Sequence, residues 1–256
     1  MVKNSCICYL VNDNPIHINR LYDSLMCLQE NFLAEFPYPV VICHEGISQN
    51  VIDNIKQRIK TAIYFYKINF KIPDYPQEIL NQIPERFKGH WDENAFFSIG
   101  YRHMCRFFSG EIYKDPFFEK VKFLLRLDCD SYFTKKVTYD IFKRMEDTGS
   151  VYGTVGEDTD MDYVVEGFGD ACMSYFKENY NFSKPVTMFQ THFDLTDVQW
   201  IRNSDYMDFY DFIDSTGNIY IKRWGDAVIK FQGMTHTAGS RIYRFSDIPY
   251  KHGGDL

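Results

Sequence analysis

The chain lacks any excess of basic residues: 28 Lys and Arg stand against 35 Asp and Glu, a net charge of −7. Such a balance gives no electrostatic footprint for nucleic acid or an anionic membrane, so neither is an expected partner. A long apolar stretch is missing too. The first run, Cys6-Ile7-Cys8-Tyr9-Leu10-Val11, gives way at once to Asn12-Asp13-Asn14 and is too short for an anchor or a signal sequence. As it stands the chain reads as cytoplasmic, with no membrane segment. There is no Cys-x-x-Cys pair and no His-Glu-x-x-His, which argues against zinc ribbons and zinc hydrolases. Without a Gly-x-Ser-x-Gly, a P-loop or a Gly-x-Gly-x-x-Gly after a strand, serine hydrolases, nucleoside triphosphatases and Rossmann dehydrogenases lose ground. No linker rich in Pro, Gly or Ser divides the 256 residues, and no repeat is visible, so one domain over 1–256 is expected.

What is present is ample core material. Apolar residues make up 45% and aromatics 18%, and flat apolar side chains serve a packed interior or a sugar-binding cleft equally well. The seven cysteines are an odd number without metal spacing, several inside apolar runs, which fits buried free thiols.

Hydrophobic periodicity alternates between two kinds. Ser5 to Val11 reads as a buried strand, and Asn14-Pro15 then supplies a cap and a first-turn proline for a helix carrying Leu21, Leu25, Leu28 and Phe32 on one face. Val40 to Cys43 is a second strand, Ile52, Ile55 and Ile59 mark a helix, and Ala62 to Tyr66 a third strand. Strands alternating with helices imply an α/β architecture with a mixed, mostly parallel sheet. Lys71 to Asp92 reads as a long loop, followed by a helix through Tyr101 to Phe108 that Gly110 should stop. Phe123 to Leu127 is the most apolar strand of the second half. Helices are expected over Thr138 to Met145, Asp162 to Tyr180 and Asp205 to Ile213, and strands over Ser150 to Val155, Thr191 to Leu195 and near Ile242.

The Phe123–Leu127 strand runs into Asp128-Cys129-Asp130. Ligands of open α/β sheets bind beyond the strand ends, and two carboxylates one residue apart can hold a hard divalent cation together with a diphosphate. The competing run Asp158-Thr159-Asp160-Met161-Asp162 is no EF-hand, since its sixth position is Tyr163 and its twelfth Gly169, and it reads as a solvated acidic loop or helix start. The seven histidines, including His90, His103, His192 and His252, show no zinc spacing.

Five blocks occur in order: Tyr101-Arg102-His103-Met104-Cys105-Arg106-Phe107-Phe108-Ser109-Gly110, Arg126-Leu127-Asp128-Cys129-Asp130, Phe193-Asp194, Arg223-Trp224-Gly225-Asp226-Ala227, and Asp247-Ile248-Pro249-Tyr250-Lys251-His252. Together they resemble the fungal-type α-1,2-mannosyltransferases, glycosyltransferase family 15, over nearly the whole chain. The resemblance implies a GT-A-like nucleotide-sugar-binding fold and Mn²⁺-assisted, retaining transfer of mannose from GDP-mannose to a mannoside or glycan acceptor. It implies Asp128, Asp130 and His252 as metal ligands, Tyr101 in the donor site, and Asp194 where the family carries a glutamate considered as nucleophile. Family relatives are Golgi type II membrane proteins. The family's acidic motif is commonly Glu-Pro-Asp, from which Asp128-Cys129-Asp130 departs.

Alternatives remain open at several positions. Asp194, one methylene shorter than glutamate, could form a glycosyl-enzyme or only stabilise positive charge while the acceptor attacks on the leaving face. Arg102 and Arg106, four apart, could face the donor or pair with the acidic surface. Asp226 could orient a sugar hydroxyl, and Trp224 could stack on an acceptor or fill the core. Another nucleotide sugar, or a carbohydrate-binding protein of the same fold without turnover, are the competing functions.

Overall fold

The computed structural model describes residues 1–88, 96–177 and 186–254. Its centre is a seven-stranded sheet: β1 (Cys6–Val11), β2 (Val40–His44), β3 (Ile63–Lys67), β4 (Phe123–Leu127), β5 (Tyr152–Thr154), β6 (Phe193–Asp197) and β7 (Ile242–Arg244). The order across the sheet is β7-β5-β6-β4-β1-β2-β3. All neighbours are parallel except β6, which runs antiparallel between β4 and β5. The expected mixed, mostly parallel α/β sheet flanked by helices is therefore what forms.

The period-two alternation of each strand divides two cores. In β1, Ile7, Tyr9 and Val11 join one core with Leu21 and Leu25 of the first helix and Phe32 of its π-helical continuation, whereas Cys6 and Cys8 point into the other. That first helix, Pro15–Leu28, starts where the Asn14 side chain accepts from the Ile16 amide, a cap worth about 1 kcal/mol. A second helix on this face, Ile141–Thr148, is capped by Asp140 and closed by Gly149 at φ 64°, a left-handed conformation that favours glycine. The opposite face is covered by Ile99–Arg106 with its continuation, Phe168–Phe176, Asp205–Ser215 and Asp226–Ala238. All seven cysteines are free thiols, five of them buried.

Four sequence expectations need correction. Gly110 does not stop its helix, which widens to a π-helical turn over Phe107–Glu111 and runs on to Lys114. Glycine is there because the Tyr210 ring lies on its Cα, where a Cβ would come within 2.2 Å of the ring. The acidic run near residue 160 is largely a strand: Glu157–Asp160 pairs antiparallel with Val186–Phe189, a strand the sequence did not suggest, with Asp160 buried against Arg223, and Asp162 opens a short 3-10 turn, Asp162–Val164. The loop after Lys71 contains one helical turn, Gln77–Leu80, and a short strand, Phe87–Lys88, and its residues 89–92, with His90, lie outside the described residues. The helix expected to start at Asp162 starts at Phe168, and positions 178–180 are likewise outside. Helix Asp226–Ala238, absent from the sequence reading, carries two residues of the buried charge cluster described below.

Candidate active site

At the carboxyl end of β4 the backbone turns back: the Ser131 amide donates to the Asp128 carbonyl at 3.1 Å, and the Asp128 amide donates to Ser131 Oγ at 3.1 Å. Ser131–Phe133 then pairs with Tyr250–His252, register His252 opposite Ser131, and the Gly253 amide donates to the Asp130 carbonyl. A segment far along the chain is thereby laid over the acidic turn. His252 Nε2 lies 3.2 Å from Asp130 Oδ1 and 3.9 Å from Asp128 Oδ2.

Each carboxylate has its other oxygen taken by an arginine. Arg126 reaches Asp128 Oδ1 at 3.0 Å, and Arg20 of the first helix reaches Asp130 Oδ2 at 3.2 Å. One oxygen of each aspartate thus lies within 4 Å of the same imidazole nitrogen. The hydrogen bond with His252, helped by Arg20, holds the Asp130 carboxyl below its ordinary value. Burial pushes the Asp128 carboxyl up, and Arg126 offsets only part of this. Among the described residues no three His, Cys, Asp or Glu side chains make a metal cage by themselves. The donor set instead suits a cation that finishes its shell with phosphate oxygens and water, and its mixture of carboxylate and imidazole suits Mn²⁺ better than Ca²⁺.

The acidic turn opens into a cleft of about 420 Å³ lined by Asn12, Arg20, Glu45, Phe97, Tyr101, Asp128 and Asp130 among others. Tyr101, one turn into a helix capped by Ser98, has its hydroxyl held at 2.7 Å by Arg223. Burial pushes the phenol well above its ordinary value, so it stays protonated. Arg223 stacks 4.1 Å over the Phe97 ring, with its own backbone in the left-handed region at φ 62°. A non-glycine residue pays for that conformation, and surrounding contacts must hold it there.

Behind the cleft lies a sealed charge cluster. Strand alternation turns Arg126 and Asp194, directly opposite each other on β4 and β6, to the same face of the sheet. Helix Asp226–Ala238 delivers Asp226 and, one turn later, Lys230. Arg126 pairs with Asp226 and packs 4.0 Å from the Phe108 ring. Asp194 receives Thr196 Oγ1 at 2.6 Å on one oxygen and Lys230 Nζ at 3.1 Å on the other, with side-chain exposures of 2% for Asp194 and 0% for Lys230. Lys230 also donates to Tyr113. Burial lowers the Lys230 amine, against the pull of Asp194. Burial alone would raise the Asp226 carboxyl, but Arg126, with smaller help from Thr191 and Cys105, holds it below the carboxylate range.

Of the residues singled out from sequence, Tyr101, Asp128, Asp130 and His252 come together. Arg102 does not join them: fully buried, it spends its guanidinium on the carbonyls of Tyr220, Pro84, Glu85 and Ser98. Arg106 forms a two-pronged pair with Asp214 at 2.8 Å and lines a separate cavity with Tyr66, Phe70 and His103. Neither faces the donor cleft, so their placement in the donor site is corrected. Trp224 is in the core, 1% exposed, its ring against Phe168 and its indole N–H on the Glu166 carbonyl. Asp226 is buried against Arg126 rather than directed at a sugar hydroxyl. Sequence reasoning missed Arg20, Arg126, Glu45 and Lys230. Arg126 did leave a signal, since a lone arginine inside an apolar strand must have a partner.

The fold is that of the GT-A glycosyltransferases. More narrowly, the family model described as glycolipid 2-alpha-mannosyltransferase matches residues 1–256, and the chain belongs to that family. It is 25% identical to the probable mannosyltransferase KTR4 of Saccharomyces cerevisiae, over 91% of this chain and 57% of that protein. It is 27% identical to the glycolipid 2-alpha-mannosyltransferase 2 of Candida albicans, over 91% and 56% respectively. The chain thus spans little more than half the length of these curated relatives. Core-mannan synthase A of Aspergillus fumigatus, solved in an Mn/GDP form, superposes with a TM-score of 0.83 at 20% identity, covering 98% of this chain and 75% of that one. No helix among the described residues is long and apolar enough to cross a membrane.

Proposed function

We propose that this chain is a retaining mannosyltransferase that takes mannose from GDP-mannose and adds it, through an α-1,2 linkage, to a mannoside or glycan acceptor with the help of Mn²⁺, all 256 residues acting as one catalytic domain. The observation that carries the reading is the pairing of Asp128 Oδ2 and Asp130 Oδ1 with His252 Nε2 at the mouth of the cleft. Family membership and the Mn/GDP form of a similar fold support it. Asp128, Asp130 and His252 would hold the cation, whose charge neutralises the diphosphate and stabilises GDP as it leaves. This answers the difficulty an acidic protein has with an anionic donor. Arg20, 43% exposed beside Asp130, adds a fixed positive charge on the same wall. Tyr101 offers a neutral hydroxyl whose orientation Arg223 fixes.

Asp194 takes the electrostatic role rather than the nucleophilic one in this reading. Both its oxygens are engaged, and Lys230 would have to release Oδ2 before that oxygen could attack an anomeric carbon. The acceptor hydroxyl then attacks from the face that GDP leaves, with the buried carboxylate stabilising positive charge on the sugar.

The test is incubation with Mn²⁺, GDP-mannose and methyl α-mannoside. GDP release with an α-1,2-linked disaccharide is expected, and mass spectrometry of the quenched protein should find no hexose adduct. Absence of turnover, or preference for a UDP-sugar, overturns the donor assignment; an adduct on Asp194 overturns the electrostatic role.

A further inference from the structure

The candidate metal ligand His252 does not stand alone. The imidazole of His192, from the turn just before β6, lies parallel to it, with centroids 3.9 Å apart and planes 7° from coincidence. His192 is itself fixed: its Nδ1 lies 2.8 Å from the Tyr250 hydroxyl. That hydroxyl lies 2.7 Å from Ser131 Oγ and donates to the His192 carbonyl at 3.0 Å. Ser131 Oγ, fully buried, also accepts from the Asp128 amide. One hydroxyl pair therefore ties the backbone of Asp128 to the ring beneath His252.

We infer that His192 is a positioning residue: its ring is the platform that sets the plane of His252, and Ser131 and Tyr250 lock that platform to the acidic turn. The inference rests on the metal-site reading above. A second imidazole ligand would be the obvious alternative role for His192, but the stacking argues against it. Ring nitrogens present their lone pairs in the ring plane, so two stacked rings with centroids 3.9 Å apart aim within separate, near-parallel planes and do not converge on one ion at a bond length of about 2 Å. What stacking does supply is orientation. His252 is 36% exposed on a short strand, and without a neighbour on its face it would sample several rotamers. Groups that orient a metal-binding imidazole matter to affinity almost as much as the ligand, typically tenfold or more.

The experiment compares wild type, His192→Ala and His192→Phe. Mn²⁺ affinity in saturating GDP is read from the electron paramagnetic resonance of free Mn²⁺, and the His252 ring protons are followed by NMR without metal. His192→Ala should weaken Mn²⁺ binding about tenfold and remove the ring-current shift of His252. His192→Phe, which keeps a flat ring but no nitrogen, should restore both, with thermal melts showing that each variant folds. Unchanged Mn²⁺ affinity in His192→Ala overturns the inference, as does a His192→Phe variant that binds no better than His192→Ala. Failure of the wild type itself to bind Mn²⁺ with GDP is a different result: it overturns the metal-site reading first and this inference with it.

Discussion

Two groups of carboxylates and cations meet around the carboxyl end of β4, and they have opposite characters. At the strand end, Asp128 and Asp130 each keep one oxygen unclaimed by arginine, and their side chains are 34% and 20% exposed. Beneath it, in the interior, Asp194 and Asp226 meet Lys230 and Arg126 at exposures of 5% or less. Composition does not separate the two groups. What does is access to solvent. Partly exposed carboxylates at a cleft are placed to recruit a ligand, while sealed ones in the interior provide a fixed field.

Breaking the buried group should give the largest effect. Lys230→Met leaves Asp194 in the core without its counter-charge and should cost about 3–5 kcal/mol in urea unfolding, whereas Lys230→Met with Asp194→Leu should recover much of it. If the single variant loses less than the double one, the interior pair is not a stabilised unit. Breaking the open group should act on binding instead. Asp130→Ala is expected to lower Mn²⁺-dependent GDP affinity at least about tenfold, or 1.4 kcal/mol, by calorimetry, with stability changed by less than about 1 kcal/mol.

Acid sharpens the same contrast. Asp226 has its folded pKa depressed, so its contribution to stability is complete above the ordinary aspartate value of about 3.9 and is lost as pH falls through the lower folded value. Asp226→Asn should therefore flatten the loss of stability below about pH 4, measured as urea midpoints against pH. The smallest effect is expected at Arg106. Arg106→Gln breaks the Asp214 pair at a cost of about 1 kcal/mol and should leave GDP affinity unchanged; a clear loss of affinity would return Arg106 to the donor site.

The sheet was legible because its strands alternate cleanly with helical stripes, and Asp128-Cys129-Asp130 because it ends the most apolar of them. The helix from Asp226 was not, since its buried positions, Asp226, Lys230 and Gly233 among them, form no simple apolar stripe. Spacing placed Arg102 and Arg106 on one helical face correctly, but what meets that face comes from residues 84, 85, 214 and 220, and no local pattern carries such long-range partners. The strand over Glu157–Asp160 was hidden for the same reason: its acidic residues are poor strand formers, and only pairing with Val186–Phe189 and the Arg223 contact make the conformation worthwhile.

The docking of Tyr250–His252 on Ser131–Phe133 sets an order of assembly. Chains leave the ribosome from the amino end, and Tyr250 follows Ser131 by 119 positions. A nascent chain can therefore present its acidic turn, most of the sheet and both cores before the imidazole emerges. Docking of Tyr250–His252 completes the seat, so under the proposed function nucleotide capture reports that this long-range pairing has formed.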